Sequence, residues 1–218
     1  MIAWRFIAFA FCWLQLTNVA AQAHEVSSLD TAPATQLPVI LVVGDSLSAE
    51  YGLRRDAGWV ALVDRRLRET GQNYHIQNAS ISGDTTSGGL SRLPAALAQQ
   101  QPAIVIIELG SNDALRGLAL NMTQNNLEAM TKLSQQAGAK VLLLGMQIPP
   151  NYGPRYTEQF RLSFAHVAAD RKANLVPFLL EGIAQDPSLF QADGIHPNEA
   201  AQAAIANNVW AELQPMLD

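Results

Sequence analysis

Apolar runs of strand length alternate along this chain with longer amphipathic stretches, and that alternation leaves few architectures open. Residues 38–43, PVILVV, read as a strand, and Trp59, Val63 and Leu67 then recur at helical spacing across 58–69. A short strand is expected at 74–78, a helix at 89–100 with Pro94 near its start, and a continuous apolar strand at 103–109. Residues 123–137 place Leu127, Met130 and Leu133 on one helical face, and 141–144 form a strand opened by Gly138. The clearest helix is 155–172, where Tyr156, Phe160, Phe164 and Val167 make one stripe. A short strand at 174–176 and an alanine-rich closing helix at 197–217 end the pattern. Strands alternating with helices build βαβ units around a mostly parallel sheet. Strands apolar on both faces call for helices on both sides. The expected fold is α/β in a single domain over 38–218, with no internal repeat and no second-domain linker.

The first 37 residues lie outside that pattern. Residues 1–23 carry one charge, Arg5, then an apolar run over 6–16, and end in Ala21-Gln22-Ala23. This is the layout of a secretory signal peptide with an A-x-A cleavage site. A membrane anchor fits less well, because the run is well short of the ~20 residues a spanning helix needs. Residues 24–37 read as a flexible leader. Cleavage near Ala23 would leave 195 residues and remove Cys12, the one cysteine. The mature chain would then have no disulfide, no thiolate nucleophile and no cysteine metal ligand. The expected destination is the periplasm or the medium. The whole chain has net charge −5, and loss of Arg5 makes it −6. An acidic chain with no basic run is unsuited to nucleic acid or to anionic membranes.

In open α/β sheets, ligands bind beyond the carboxyl ends of the strands. The residues after each strand are Gly44-Asp45-Ser46, then Gly83-Asp84 within ASISGDT, then Gly110-Ser111-Asn112-Asp113, then Gln147-Ile148-Pro149-Pro150. Asp193-Gly194-Ile195-His196-Pro197 precedes the last helix. A serine hydroxyl needs a base to become nucleophilic, and His196 is the candidate. Asp193, three residues earlier, can hold the imidazole in the right tautomer. The N–H groups of Ser46 and Gly83 and the side-chain amide of Asn112 are candidate donors for an oxyanion. Singly, each has an ordinary explanation: a helix cap, a turn, or half a metal site. His24, His75 and His166 offer no third ligand, so no metal or other cofactor is expected. Asp45, Asp84 and Asp113 read as acids that shape loops by accepting backbone N–H bonds.

Together, Gly44-Asp45-Ser46-Leu47, Gly83, Gly110-x-Asn112-Asp113 and Asp193-x-x-His196 resemble the SGNH (GDSL) hydrolase superfamily. "NASISGDTTSGGLSRLPAAL", "VIIELGSNDALRG", "PPNYGPRY" and "QADGIHPN" are similar to its bacterial exported thioesterase I, lysophospholipase and arylesterase branch. The resemblance spans nearly all of 38–218. It implies a flavodoxin-like three-layer α/β/α sandwich with a five-stranded parallel sheet. It implies Ser46 as nucleophile, His196 as base, Asp193 as its orienter, and Ser46, Gly83 and Asn112 as the oxyanion hole. It also implies a mobile loop at 113–120. Glu50 departs from the pattern, where a small residue is expected, and so bears on acyl preference and local charge.

The expected activity is hydrolysis of small acyl esters and thioesters, lysophospholipids among them, through an acyl-enzyme. Leu115, Leu118, Ile148 and Pro149 are the candidate apolar wall, with ordinary loop packing as the alternative. A monomer is expected. Two other readings stay open at this point: a carbohydrate acetylesterase of the same superfamily, and a periplasmic binding module that would need none of Ser46, Asp193 or His196.

Overall fold

The computed structural model describes Met1 and residues 37–217. The expected signal peptide at 1–23 and almost all of the leader at 24–37 lie outside the described residues. From Leu37 onward the chain forms β1 (Val39–Gly44), α1 (Trp59–Glu69), β2 (His75–Asn78), α2 (Thr86–Gln100), β3 (Ile104–Glu108) and α3 (Ser111–Leu115). These are followed by α4 (Leu120–Gln136), β4 (Lys140–Leu144), α5 (Pro154–Arg171), β5 (Asn174–Val176) and α6 (Gln202–Leu213).

The five strands are all parallel and lie in the order β2-β1-β3-β4-β5. β1 is therefore flanked by β2 and β3, and the chain reverses direction of travel across the sheet after β2. Ile40–Val43, Ile104–Ile107 and Leu142–Leu144 are buried, as two-sided helix cover requires. α1 packs against α6, while α2, α4 and α5 pack in series. α1 buries Trp59, Val63 and Leu67, the stripe read from the sequence. In α5, Phe160 and Phe164 meet edge to face, with ring centres 5.3 Å apart.

Several boundaries differ from expectation. α2 starts at Thr86 rather than Gly89, because the Thr85 hydroxyl caps it by accepting from Gly88 N–H. The two glycines there mislead a propensity reading. Gly89 is required by packing, since a Cβ would stand 2.2 Å from Leu109 Cδ1. Pro94 consequently falls inside α2 rather than near its start, at the cost of one backbone bond. Residues 113–120 are not a plain loop: α3 occupies their beginning and α4 starts at Leu120. Finally, the closing segment is not one helix. A 3₁₀ turn at Glu199–Ala201 precedes α6 and another follows at Gln214–Met216.

Candidate active site

β1 ends where Gly44 stands in register with Glu108 of β3. A Cβ on Gly44 would lie 2.6 Å from Ser48 Oγ and 2.9 Å from Glu108 Oε2, so only glycine fits. The chain then turns sharply, with Ala49 N–H donating to Asp45 O at 2.9 Å. Asp45 shapes that turn as expected, accepting from Leu47 N–H at 3.0 Å. Ser46 is left half-buried at the rim, while Asp45 and Ser48 on either side are covered.

The segment carrying His196 is a tight loop closed by its own backbone. Gln191 N–H donates to His196 O at 2.7 Å, and Gly194 N–H donates to Gln191 O at 2.9 Å. Gly194 takes φ +67°, which glycine adopts without strain. Asp193 Oδ1 accepts from Ile195 N–H at 2.9 Å and from His196 N–H at 3.0 Å. Its Oδ2 stands 2.7 Å from His196 Nδ1. The backbone bond from His196, then its side chain, then the Ile195 N–H hold the Asp193 carboxyl down at about 2. An ionised carboxylate only accepts, so Nδ1 carries the hydrogen, and in the neutral imidazole Nε2 is then the acceptor. That Nε2 is 3.0 Å from Ser46 Oγ, across 150 residues of sequence. The Tyr51 ring lies against the imidazole, with centres 4.5 Å apart, and Gln191 Nε2 donates to Tyr51 O at 2.8 Å.

Gly83 follows β2 and Asn112 follows β3, so the strand order places their loops on either side of Ser46. Gly83 has φ +78°. Two arginines that no sequence motif singles out hold its loop. Arg92 from α2 donates to Asp84 Oδ2 at 2.8 Å, to Ala79 O, and to Gly44 O at 3.4 Å. Arg116 donates to Gly83 O at 2.9 Å. Asn112 lies in the first turn of α3, and its Nδ2 donates to Asp45 Oδ2 at 2.9 Å. Asp84 and Asp113 accept from Thr85 N–H and Thr86 N–H, both at 2.9 Å, as expected of loop-shaping acids.

A serine within reach of an Asp-held imidazole, at the carboxyl edge of a parallel sheet, is the constellation on which comparison with known proteins bears. The profile of the GDSL-like Lipase/Acylhydrolase family matches residues 42–204. The chain belongs to this family. It is 56% identical to Esterase TesA of Pseudomonas aeruginosa over 178 residues, 82% of this chain and 89% of that protein. It is 40% identical to the Thioesterase 1/protease 1/lysophospholipase L1 of Escherichia coli K12, over 86% of this chain and 89% of that one. A crystal structure of TesA superposes with a TM-score of 0.81 at 55% identity, covering 82% of this chain and 99% of that chain. The fold of this GDSL-like hydrolase is thus the five-stranded parallel sandwich that the resemblance implied.

Glu108 is a site residue that sequence reasoning passes over. It sits inside what reads as a continuous apolar strand, yet it is a carboxyl only 1% exposed. A lone acid on a strand buried on both faces must have partners, and that is the one signal the sequence offers. Its Oε2 accepts from Ser48 Oγ at 2.8 Å and from Asp45 N–H at 3.2 Å. Burial first, then the neighbouring Asp45 charge, push Glu108 well above the usual carboxyl range. Burial also raises Asp45, to about 6.

Glu50 accepts through its carboxylate from Gly58 N–H at 2.8 Å and Asp56 N–H at 3.1 Å, which caps α1 where Gly58 has no side chain to do so. It does this from a left-handed backbone, φ +57°. Of the four wall candidates, Leu115 is partly buried against the core, Ile148 is buried, Leu118 is half-buried and Pro149 is exposed. Tyr156 Oη donates to Leu118 O at 2.9 Å, and Tyr152 Oη donates to Leu115 O at 3.3 Å, which ties this segment to α5 and the turn before it. A groove of about 450 Å³ between α4 and α5 is lined by Leu120, Gln124, Tyr156 and His166, and by none of Ser46, Gly83, Asn112 or His196. Among the described residues, no cluster of three or more His, Cys, Asp or Glu could hold a metal ion.

Proposed function

We propose that this hydrolase cleaves acyl esters and thioesters with Ser46 as nucleophile, His196 as general base and Asp193 as the group that orients it. The reading rests above all on the 3.0 Å approach of Ser46 Oγ to His196 Nε2, continued at 2.7 Å from Nδ1 to Asp193. His196 Nε2 takes the hydroxyl proton as Ser46 Oγ bonds to the acyl carbon. Asp193, ionised throughout, balances the imidazolium that forms. The tetrahedral oxyanion is held by the N–H groups of Ser46 and Gly83 and by the Asn112 amide as its charge develops. His196 then gives the proton to the departing alcohol or thiol. Water, activated by the same imidazole, releases the acid.

The relatives' names span esterase, arylesterase, thioesterase and lysophospholipase, which supports acyl esters and thioesters as the substrate class. Half-buried Leu118 and exposed Pro149 are the candidate apolar surface for the acyl chain, with Leu115 and Ile148 more deeply buried. The N-terminal pattern ending in Ala21-Gln22-Ala23 supports export, with the mature enzyme acting outside the cytoplasm.

The test is Ser46→Ala assayed on a chromogenic ester beside wild type. Turnover should fall on the order of 10⁴–10⁶-fold while the unfolding transition is preserved. A fluorophosphonate should label wild type at Ser46 and leave the variant unlabelled. Hydrolysis retained in a clean Ser46→Ala preparation would sink the nucleophile assignment.

A further inference from the structure

Directly beneath the nucleophile lie two carboxyl groups that the mechanism above does not use. Asp45 and Glu108 are each 1% exposed. Glu108 Oε2 is occupied by two donors, Ser48 O–H and Asp45 N–H. Asp45 is occupied at both oxygens, Oδ1 by Leu47 N–H and Oδ2 by Asn112 Nδ2. Two buried carboxylates side by side cannot both stay ionised, because each is desolvated and each repels the other. The cationic or titratable groups that face them are His196, which acts on Asp45 through space, and Arg92, which reaches Gly44 O at 3.4 Å. Neither donates a hydrogen bond to either carboxyl. One proton shared between the two acids resolves the conflict. Glu108 carries it, being the more deeply desolvated, and Asp45 keeps the negative charge that Asn112 binds.

We propose that Asp45 and Glu108 form a proton-sharing pair that positions the Asn112 amide, with Glu108 fixing Asp45 and Asp45 fixing Asn112. A side-chain amide has two N–H donors. With one given to Asp45, the amide plane is set, the oxygen is turned away, and the second N–H is left for the oxyanion. The same device explains Gly44. Its missing side chain makes the space into which Glu108 Oε2 and Ser48 fit. Both acids are positioning residues, since neither reaches the reacting atoms.

The proposal rests on the reading of Asn112 as an oxyanion donor, and a mutant cycle keeps the two separable. Asp45→Asn is isosteric, but it sets an amide donor or a weaker acceptor against Asn112. It should lower kcat by roughly 10–10²-fold with KM little changed, as expected for an interaction acting in the transition state. Glu108→Ala should do likewise. Glu108→Gln, whose amide can both accept at one atom and donate to Asp45 at the other, should recover most of that loss. The deciding measurement repeats Asp45→Asn and Glu108→Ala in an Asn112→Ala background. There each should cost under about threefold, because the donor they position is already gone. Full, multiplicative losses in that background would overturn the proposal. So would Glu108→Gln as inactive as Glu108→Ala. If Glu108→Ala does not fold, the Asp45→Asn arm decides alone. An Asn112→Ala variant with wild-type kcat would instead overturn the assignment of Asn112 to the oxyanion hole, a different result from either of these.

Discussion

Ser46 stands at the end of a strand, beside four buried residues, Gly44, Asp45, Ser48 and Glu108. The loop that brings His196 to it runs in solvent, and Asp193 and Gly194 are exposed. Both regions depend on a carboxyl group, yet the two environments act on it in opposite ways. Under the serine, burial raises Asp45 and Glu108 and favours a bound proton. On the loop, three bonds to Asp193 from the Ile195 and His196 N–H groups and the imidazole hold it ionised down to about 2. The carboxyl beside the imidazole is kept wet and given donors, which favours its charge. A group that must stay still is packed away, where its charge is costly. Rigidity around Ser46 therefore comes with unfavourable electrostatics, and His196 is held by local backbone bonds that cost the core little.

The sharpest test of that contrast is Asp193→Asn. It should lower kcat by roughly 10⁴-fold by presenting the wrong tautomer, while the thermal midpoint moves little, since the side chain is 38% exposed. A large loss of stability would show that the loop is bound into the core after all. Next in size is Asn112→Ala on the buried side. kcat should fall roughly 10²–10³-fold with KM held, and a rise in KM at constant kcat would place the oxyanion donors elsewhere.

The pH dependence of stability should then separate the two regions directly. Asp45 titrates higher in the folded protein, about 6, than in the unfolded chain. It therefore favours the folded state most at low pH, and that contribution declines as pH rises from about 4 through 6. Asp193 is the reverse: its contribution is complete above about 4 and lost as pH falls through about 2. Denaturant unfolding of wild type and Asp45→Asn between pH 4 and 7 should give curves that differ in slope, by on the order of 1–3 kcal/mol across the interval. Parallel curves would mean that Asp45 carries no raised pKa.

The smallest effect belongs to Glu50, on the chain just after the nucleophile turn. Glu50→Ala removes the acceptor for Gly58 N–H and Asp56 N–H and should cost about 1 kcal/mol. Glu50→Gly loses the same bonds but relieves a left-handed residue, worth about 1 kcal/mol, so it should be nearer neutral. Neither should alter the acyl chain-length profile. A changed profile would return Glu50 to the substrate side.

What the sequence by itself determines is whatever depends on residues near one another along the chain. The alternation of strand-length runs with helical stripes implies the parallel sheet, because two-sided burial is written into each strand separately. Ser46 follows such a strand, and Asp193 and His196 lie three apart in one tight loop, so their placement needs only turn chemistry. The tertiary structure alone decides whatever depends on which strand lies beside which. The order β2-β1-β3 brings the Gly83 and Asn112 loops to either side of Ser46. Glu108 finds Ser48 across 60 residues, and Arg92 finds Gly44 across 48. Glu50 stands out along the chain only as a departure bearing on acyl preference and local charge, and only the packed turn shows its carboxylate accepting from Gly58 N–H ahead of α1. Local periodicity sets each element on its own, whereas a buried polar group is satisfied by partners chosen only when the sheet assembles.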